Sequence, residues 1–144
     1  MNLKFIRIIS ESDKDISYIQ EIHQIPQISR YINISDNYFT YVTENPNVYL
    51  YKVYLDDILV GTTHLEICES TLYMDVIVIP QYQHKGIGTN ILRNIQNGCL
   101  PIAFERIEVS IDENNTASKR LFEKAGFIIV SKEDELENYL YTTK

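Results

Sequence analysis

The chain has 144 residues, a length expected to fold as one compact domain over residues 1–144 and to bury about 68–70% of its unfolded surface. Its 13 Lys and Arg face 20 Asp and Glu, and the formal charge of −7 opposes non-specific attraction to nucleic acid or an anionic membrane surface while favouring cationic partners. The hydrophobic fraction of 44%, with 5 Gly, 4 Pro and no repeat, excludes a disordered chain or a solenoid. Cys68 and Cys99 have neither metal-ligand nor disulfide spacing, and no stretch reads as a signal peptide or membrane span. The expectation is a cytoplasmic protein with buried or idle thiols, no metal, and a monomer or homodimer.

In chain order, Leu3 to Ile9 reads as a strand. Ser12 and Asp15 resemble a capping box, and Ile16, Ile19, Ile22 and Ile25 form one helical stripe that Pro26 interrupts. Gln27 to Pro46 is mixed, with a short helix beginning near Ser35 and carrying Tyr38, Phe39 and Val42 on one side. Val48 to Leu55 and Ile58 to Ile67 read as a hairpin turning at Asp56-Asp57, with Gly61 at a bulge or a close backbone approach. Glu69-Ser70-Thr71 turns the chain into a strand from Leu72 to Ile79, whose apolar run Val76 to Ile79 is of the kind buried on both faces. Ile87, Ile91, Leu92 and Ile95 form the face of a helix stopped at Gly98. A strand from Arg106 to Ile111 follows, then a helix opened by Asn115 with Ala117, Leu121, Phe122 and Ala125 on its apolar side and Gly126 at its end. Phe127 to Val130 and Tyr139 to Thr142 read as a closing hairpin, giving a mixed α/β chain.

Between a buried strand and a helix start, Gln83-His84-Lys85-Gly86-Ile87-Gly88-Thr89 exposes backbone N–H groups, and the first turn of the helix adds more. Such a loop suits an anion, most economically a pyrophosphate, although a turn needing glycine only for its geometry would look the same. A Walker loop requires the lysine after its second glycine, and a dinucleotide fingerprint requires glycine at position 91, which is Ile91. Neither fits. The spacing that fits is Q/R-x-x-G-x-G/A, and there the sequence resembles the acyl-CoA-binding signature of the GNAT superfamily of N-acetyltransferases. Downstream, Asn115-x-x-Ser118-x-x-Leu121-Phe122-Glu123-Lys124-x-Gly126-Phe127 is similar to that family's N-x-x-A-x-x-L-Y-E-K-x-G-F segment.

The resemblance covers about Leu72 to Phe127. It implies a mostly antiparallel twisted sheet of six to seven strands, with helices on both faces and a splay between the fourth and fifth strands. It further implies acetyl-CoA as co-substrate, its pantetheine bonding like an extra strand to backbone at Ile77 and Val78. The pyrophosphate would rest on the amides from His84 to Thr89, with Gln83 in the signature, Lys85 supplying charge, Asn115 bonding the cofactor and Ser118 leaving room beside it. Asn115 also fits a plain helix cap. Phe122 stands where many members carry a tyrosine that protonates the departing thiolate, and it has no hydroxyl to do so.

The resemblance implies transfer to a primary amine of a small molecule or protein by direct attack in a ternary complex. A non-catalytic acyl-CoA-binding sensor is the rival reading. Direct attack still profits from a base, because an ammonium is not a nucleophile. Candidates are Asp75, just before the aliphatic run, Glu66, with His64 on the same strand face, and Glu108 on the fifth strand, while Tyr139 and Tyr141 could replace the missing hydroxyl.

Overall fold

The structure is a computed structural model and describes residues 1–143. Seven strands, β1 (Leu3–Arg7), β2 (Val48–Leu55), β3 (Ile58–Cys68), β4 (Thr71–Val78), β5 (Arg106–Asp112), β6 (Ile128–Glu133) and β7 (Leu136–Thr142), form one sheet in the order β1-β2-β3-β4-β5-β7-β6. Every neighbouring pair is antiparallel except β4 and β5. The helices are α1 (Ile16–Gln24), α2 (Pro26–Ser29), α3 (Tyr38–Glu44), α4 (Ile87–Gln96) and α5 (Thr116–Lys124).

Strand alternation sorts the apolar residues into two cores. Tyr51 and Val53 of β2 turn one way, with Leu72, Ile107, Val109 and Tyr139, and receive Ile91 and Leu92 of α4 and Phe122 of α5. Val48 and Leu50 turn the other way and receive Ile19 and Ile22 of α1, Ile28 of α2, and Phe39 and Val42 of α3. Helices therefore cover both faces, as the resemblance implied.

The stripe of isoleucines does form α1, but the capping box between Ser12 and Asp15 does not. Ser12 pairs with Ser10, while the Asp13 and Asp15 carboxylates reach Lys52 Nζ at 2.9 and 2.8 Å. Lys52 is only 4% exposed, and burial alone would favour its neutral form. The bonds to Asp15 and Asp13 outweigh that and hold its pKa above the ordinary lysine value. An ammonium inside the sheet thus takes the two carboxylates that would otherwise serve the helix start.

Asp56 and Asp57 both adopt left-handed backbone, φ 50° and 66°, the geometry of a two-residue hairpin turn. Gly61 follows a register shift in the β2–β3 pairing, and a Cβ there would lie 2.3 Å from the Ile77 carbonyl oxygen, so the close approach read from sequence is real. In the least regular region α3 starts at Tyr38, a turn later than expected, and the four-residue α2 is an addition, with Pro26 in its first turn after an extended Ile25. The closing hairpin is longer than expected. All of β6 is exposed, so no burial pattern marks its ends.

Two expectations need correction. Of the buried or idle thiols expected, the buried alternative fails, since Cys68 and Cys99 are both free and exposed. In β4, Ile77 and the following Ile79 are buried, but Val76 and Val78 are only half-buried, because the strand loses its β5 neighbour along that stretch.

Candidate active site

Pairing of β4 with β5 is confined to Thr71–Tyr73 against Arg106–Glu108. Beyond these residues the strands part, and a cleft of about 770 Å³ occupies the gap, floored by Met74 to Val78 and walled by Val109 to Asp112. Ile77 turns its carbonyl to β3, where it meets Gly61, so by strand alternation the backbone edge facing the cleft belongs to Val76 and Val78. This modifies the expected pair, Ile77 and Val78, by one residue. The Val78 carbonyl also accepts from Gln83 Nε2 at 3.0 Å, which ties the loop to the strand. Gln83 is thus a brace as well as part of the cleft lining.

At one end of the cleft the loop turns through His84, φ 64°, and Gly86, φ 82°. The first intrahelical bond of α4 runs from Asn90 N–H to the Gly86 carbonyl at 3.1 Å, and the Asn90 side chain donates to the same carbonyl at 2.8 Å. The N–H groups of Ile87, Gly88 and Thr89 precede that bond and have no acceptor within the helix. They stand at the positive end of the helix dipole, an arrangement that stabilises an anion. A Cβ on Gly88 would touch Leu121 and Val78 at 3.5 Å, an ordinary contact, so neither side chain excludes an alanine there. His84, Gly86, Ile87, Gly88 and Thr89 all line the cleft; Lys85 is exposed outside it.

Helix α5 forms the opposite flank. Asn115 is its N-cap, accepting from Ser118 N–H at 3.3 Å, and Asn115, Ser118, Leu121 and Phe122 all face the cleft. Asn115 is thus a cap and a lining residue at once. The Phe122 ring, 3% exposed, meets Phe127 edge-on at 5.0 Å between centroids. Tyr139 and Tyr141 are not among the lining residues. Tyr139 is buried with its hydroxyl donating to Glu137 at 2.9 Å, and its pKa is pushed up to about 12 by burial first and that carboxylate second. Tyr141 stacks on Phe127.

Across the cleft from α4, Asp75 stands just past the last β4–β5 pair. It is half-buried with one side open to the cleft, and the protein packed around its remainder raises its pKa. Burial is the leading cause and Glu66 adds to it; His64, through its charge and its backbone N–H at 3.4 Å, works in the opposite direction. Glu66 and Glu108 share that sheet face but lie where the strands are still paired, outside the cleft lining, with Glu108 beside Tyr73. The sequence reading did not single out two tyrosines here. The Tyr38 hydroxyl lies 2.6 Å from His64 Nδ1, and Tyr31 Oη donates to the Asn114 carbonyl at 3.2 Å, bridging α2 to the α5 side. Tyr38 carried only the signal of a helix face, and Tyr31 carried none.

The comparisons with known proteins bear on the family and the fold. Residues 16–127 match the acetyltransferase (GNAT) family, and the chain belongs to that family. A search of curated sequences found no match. Among solved structures, an acetyltransferase of the GNAT family from Bacillus anthracis is 19% identical with a TM-score of 0.80, covering 99% of this chain and 96% of the other. A spermidine N-acetyltransferase from Vibrio cholerae, in complex with CoA and spermine, is 14% identical with a TM-score of 0.82 over 98% and 95%. A Campylobacter jejuni N-acetyltransferase in complex with acetyl coenzyme A is 11% identical with a TM-score of 0.80 over 99% and 100%. At these identities the likeness is one of fold. No helix among the described residues is long and apolar enough to cross a membrane.

Proposed function

We propose that this chain transfers an acetyl group from acetyl-CoA to a primary amine by direct attack in a ternary complex. The observation that carries the reading is the parting of β4 from β5 into a cleft lined at one end by the start of α4, whose first N–H groups have no acceptor within the helix, and at the other by Asp75. In this reading the pyrophosphate takes the N–H groups of residues 84–89 and the pantetheine lies along the edge of Val76 and Val78. The thioester carbonyl accepts from that edge, which stabilises the oxyanion formed on attack. Asp75 receives the ammonium and takes its proton, leaving a neutral amine to attack. As the tetrahedral adduct collapses, the second proton of the attacking nitrogen passes to the departing sulfur, so CoA leaves as the thiol without an acid at Phe122. The family's structural relatives named above include an enzyme whose complex holds the polyamine spermine, which fits an amine acceptor here and a net charge of −7.

Thiol release from acetyl-CoA, measured across a panel of polyamines, aminoglycosides, amino acids and peptide N-termini, tests the reading alongside calorimetry of CoA binding. Amine-dependent release is expected. CoA binding without release across the panel would favour an acyl-CoA sensor, and absence of CoA binding would reject both.

A further inference from the structure

A second cavity lies among α1, α2 and α3 and shares no lining residue with the cleft. Its volume is about 540 Å³, within the roughly 300–1,000 Å³ typical of small-molecule sites. Gln20, His23 and Gln24 stand at i, i+3 and i+4 on α1, so one side of that helix forms one wall. Ser29 of α2, Phe39 of α3 and the loop from Asn33 to Asp36 supply the rest. Such sites are mostly apolar, whereas only Ile34 and Phe39 are apolar in this lining.

Packing leaves the His23 nitrogens unexplained. The residue is only 7% exposed, and among the described residues no hydrogen bond reaches either ring nitrogen. Nδ1 is enclosed, which leaves Nε2 as the nitrogen open to an occupant of the cavity. Burial first and His64 second lower its pKa, so the ring is neutral. An unpaired polar group in the interior costs stability. Its neighbours on the same helix, Ile19 and Ile22, fill the core with no such cost. The imidazole also packs against Tyr38, 6.0 Å between ring centroids, a contact that an apolar side chain would make equally well.

We propose that this cavity is a second binding site, for a neutral polyhydroxylated molecule of the size of a simple sugar or inositol. His23 Nε2 and the Gln20 and Gln24 amides form its hydrogen-bonding wall. The site stands apart from the acetyl-transfer reading, since no residue of the cleft takes part in it.

The lining selects this chemistry. A neutral imidazole presents either a hydrogen or a lone pair at Nε2, and a hydroxyl, which both donates and accepts, satisfies it in either tautomer. The carboxamides of Gln20, Gln24 and Asn33 make no hydrogen bond among the described residues, and each offers a donor beside an acceptor. Ile34 and Phe39 give the C–H face of a ring something apolar to lie against. Asp36 carries the one formal charge of the lining, so an anion meets repulsion and finds no cation to offset it. A cation gains little, because Asp36 is exposed and its attraction is screened by water and salt. An apolar occupant would leave the amides and the imidazole unpaired.

Glucose, sucrose and myo-inositol are the probes, with spermine and acetate as charged controls. Titrated into the full chain, at least one polyol should saturably shift the imidazole C–H NMR signals of His23, which are assigned by their absence from His23→Leu. The signals of His84, in the cleft, should stay in place. Gln24→Ala, at an exposed helix position, should weaken that polyol about tenfold, the loss expected for one hydrogen bond. His23→Leu should abolish binding and melt no lower than the wild type, and both variants should keep wild-type CoA affinity by calorimetry. Should Gln24→Ala, or a folded His23→Leu, bind the polyol as tightly as the wild type, the molecule sits elsewhere and the proposal is overturned. An absence of saturable shifts with all three polyols overturns it too. Saturation by spermine or acetate alone would make this a site for ions and likewise reject it.

Discussion

Gly61 offers a direct link between the core of the sheet and the cleft. In Gly61→Ala the new Cβ would lie 2.3 Å from the Ile77 carbonyl oxygen, where an ordinary contact begins at 3.4 Å, so β3 and β4 must separate locally by about 1 Å. The atom in the way is backbone and cannot swing aside as a side chain would. Overpacking of this kind costs roughly 1–3 kcal/mol, which for a chain of this size lowers Tm by roughly 2–12 °C. The displacement also moves the Val76–Val78 edge towards the slot assigned to the pantetheine, so CoA affinity should fall with stability. Gly98→Ala is the control. Gly98 has φ +74° and nothing within 4 Å of its virtual Cβ, so alanine there suffers left-handed strain of about 1–2 kcal/mol without pressing on any neighbour. It lies just past the far end of α4, away from the anion seat. Thermal melts and CoA calorimetry on both variants decide the matter. Equal Tm losses with unchanged CoA affinity in both would refute the argument that β4 is positioned through Gly61.

Gly86→Val should abolish measurable CoA binding by calorimetry, mainly because φ +82° suits glycine; the nearest foreign atom to a Cβ is Asn90 Nδ2 at 3.9 Å, so the Cβ itself meets no crowding from the protein. Asp75→Asn should stabilise the fold with a specific pH dependence. The folded-state pKa of Asp75 is raised, so its charge costs stability above the folded value, and the cost fades as pH falls towards the unfolded value near 3.8. Melts at neutral pH should favour the variant and melts below about pH 3.8 should not, and a constant gap would mean that the carboxylate charge is not the cause. Phe122→Tyr should melt close to the wild type and release thiol faster, since the ring borders the cleft where a hydroxyl could reach the leaving sulfur. A large drop in Tm would instead place its para position against closed protein.

The elements legible from sequence are those whose signals are local. Asp56-Asp57 carries its own turn chemistry, Gly98 and Gly126 end α4 and α5 in left-handed backbone, and Asn115 caps α5 with its own side chain. The capping box at Ser12 failed for a non-local reason, because Lys52, on a strand 37 residues beyond Asp15, claims the carboxylates. The stretch holding α2 and α3 resisted reading because its shape follows from what β2 and β4 offer it: Phe39 and Val42 bury themselves against residues contributed by distant strands. Propensity gives way where tertiary contacts set the outcome.

The site divides along the same line. The strand-to-helix loop from Gln83 to Thr89 was legible because glycines between a strand and a helix leave few other conformations, and its spacing excluded a Walker loop and a dinucleotide fingerprint. The open edge of β4 was not, since the half-buried Val76 and Val78 that line a cleft read in sequence as strand residues covered on both sides. What distinguishes the two cases is whether a neighbouring strand is present, a fact carried by β5, which begins only at Arg106, 28 residues after Val78. The acid–base side was less legible still. Asp75 stood out as a charge beside an aliphatic run, and His64 and Glu66 as same-face neighbours, but Tyr38 lay on a helix face among apolar residues with no sign that its hydroxyl had a partner. Its ring joins the core at the edge of Phe39 while its hydroxyl reaches His64, and only the crossing of α3 over β3 makes both true of one side chain. Buried tyrosines at helix spacing therefore warrant a search for a distant imidazole or carboxylate before they are assigned to packing alone.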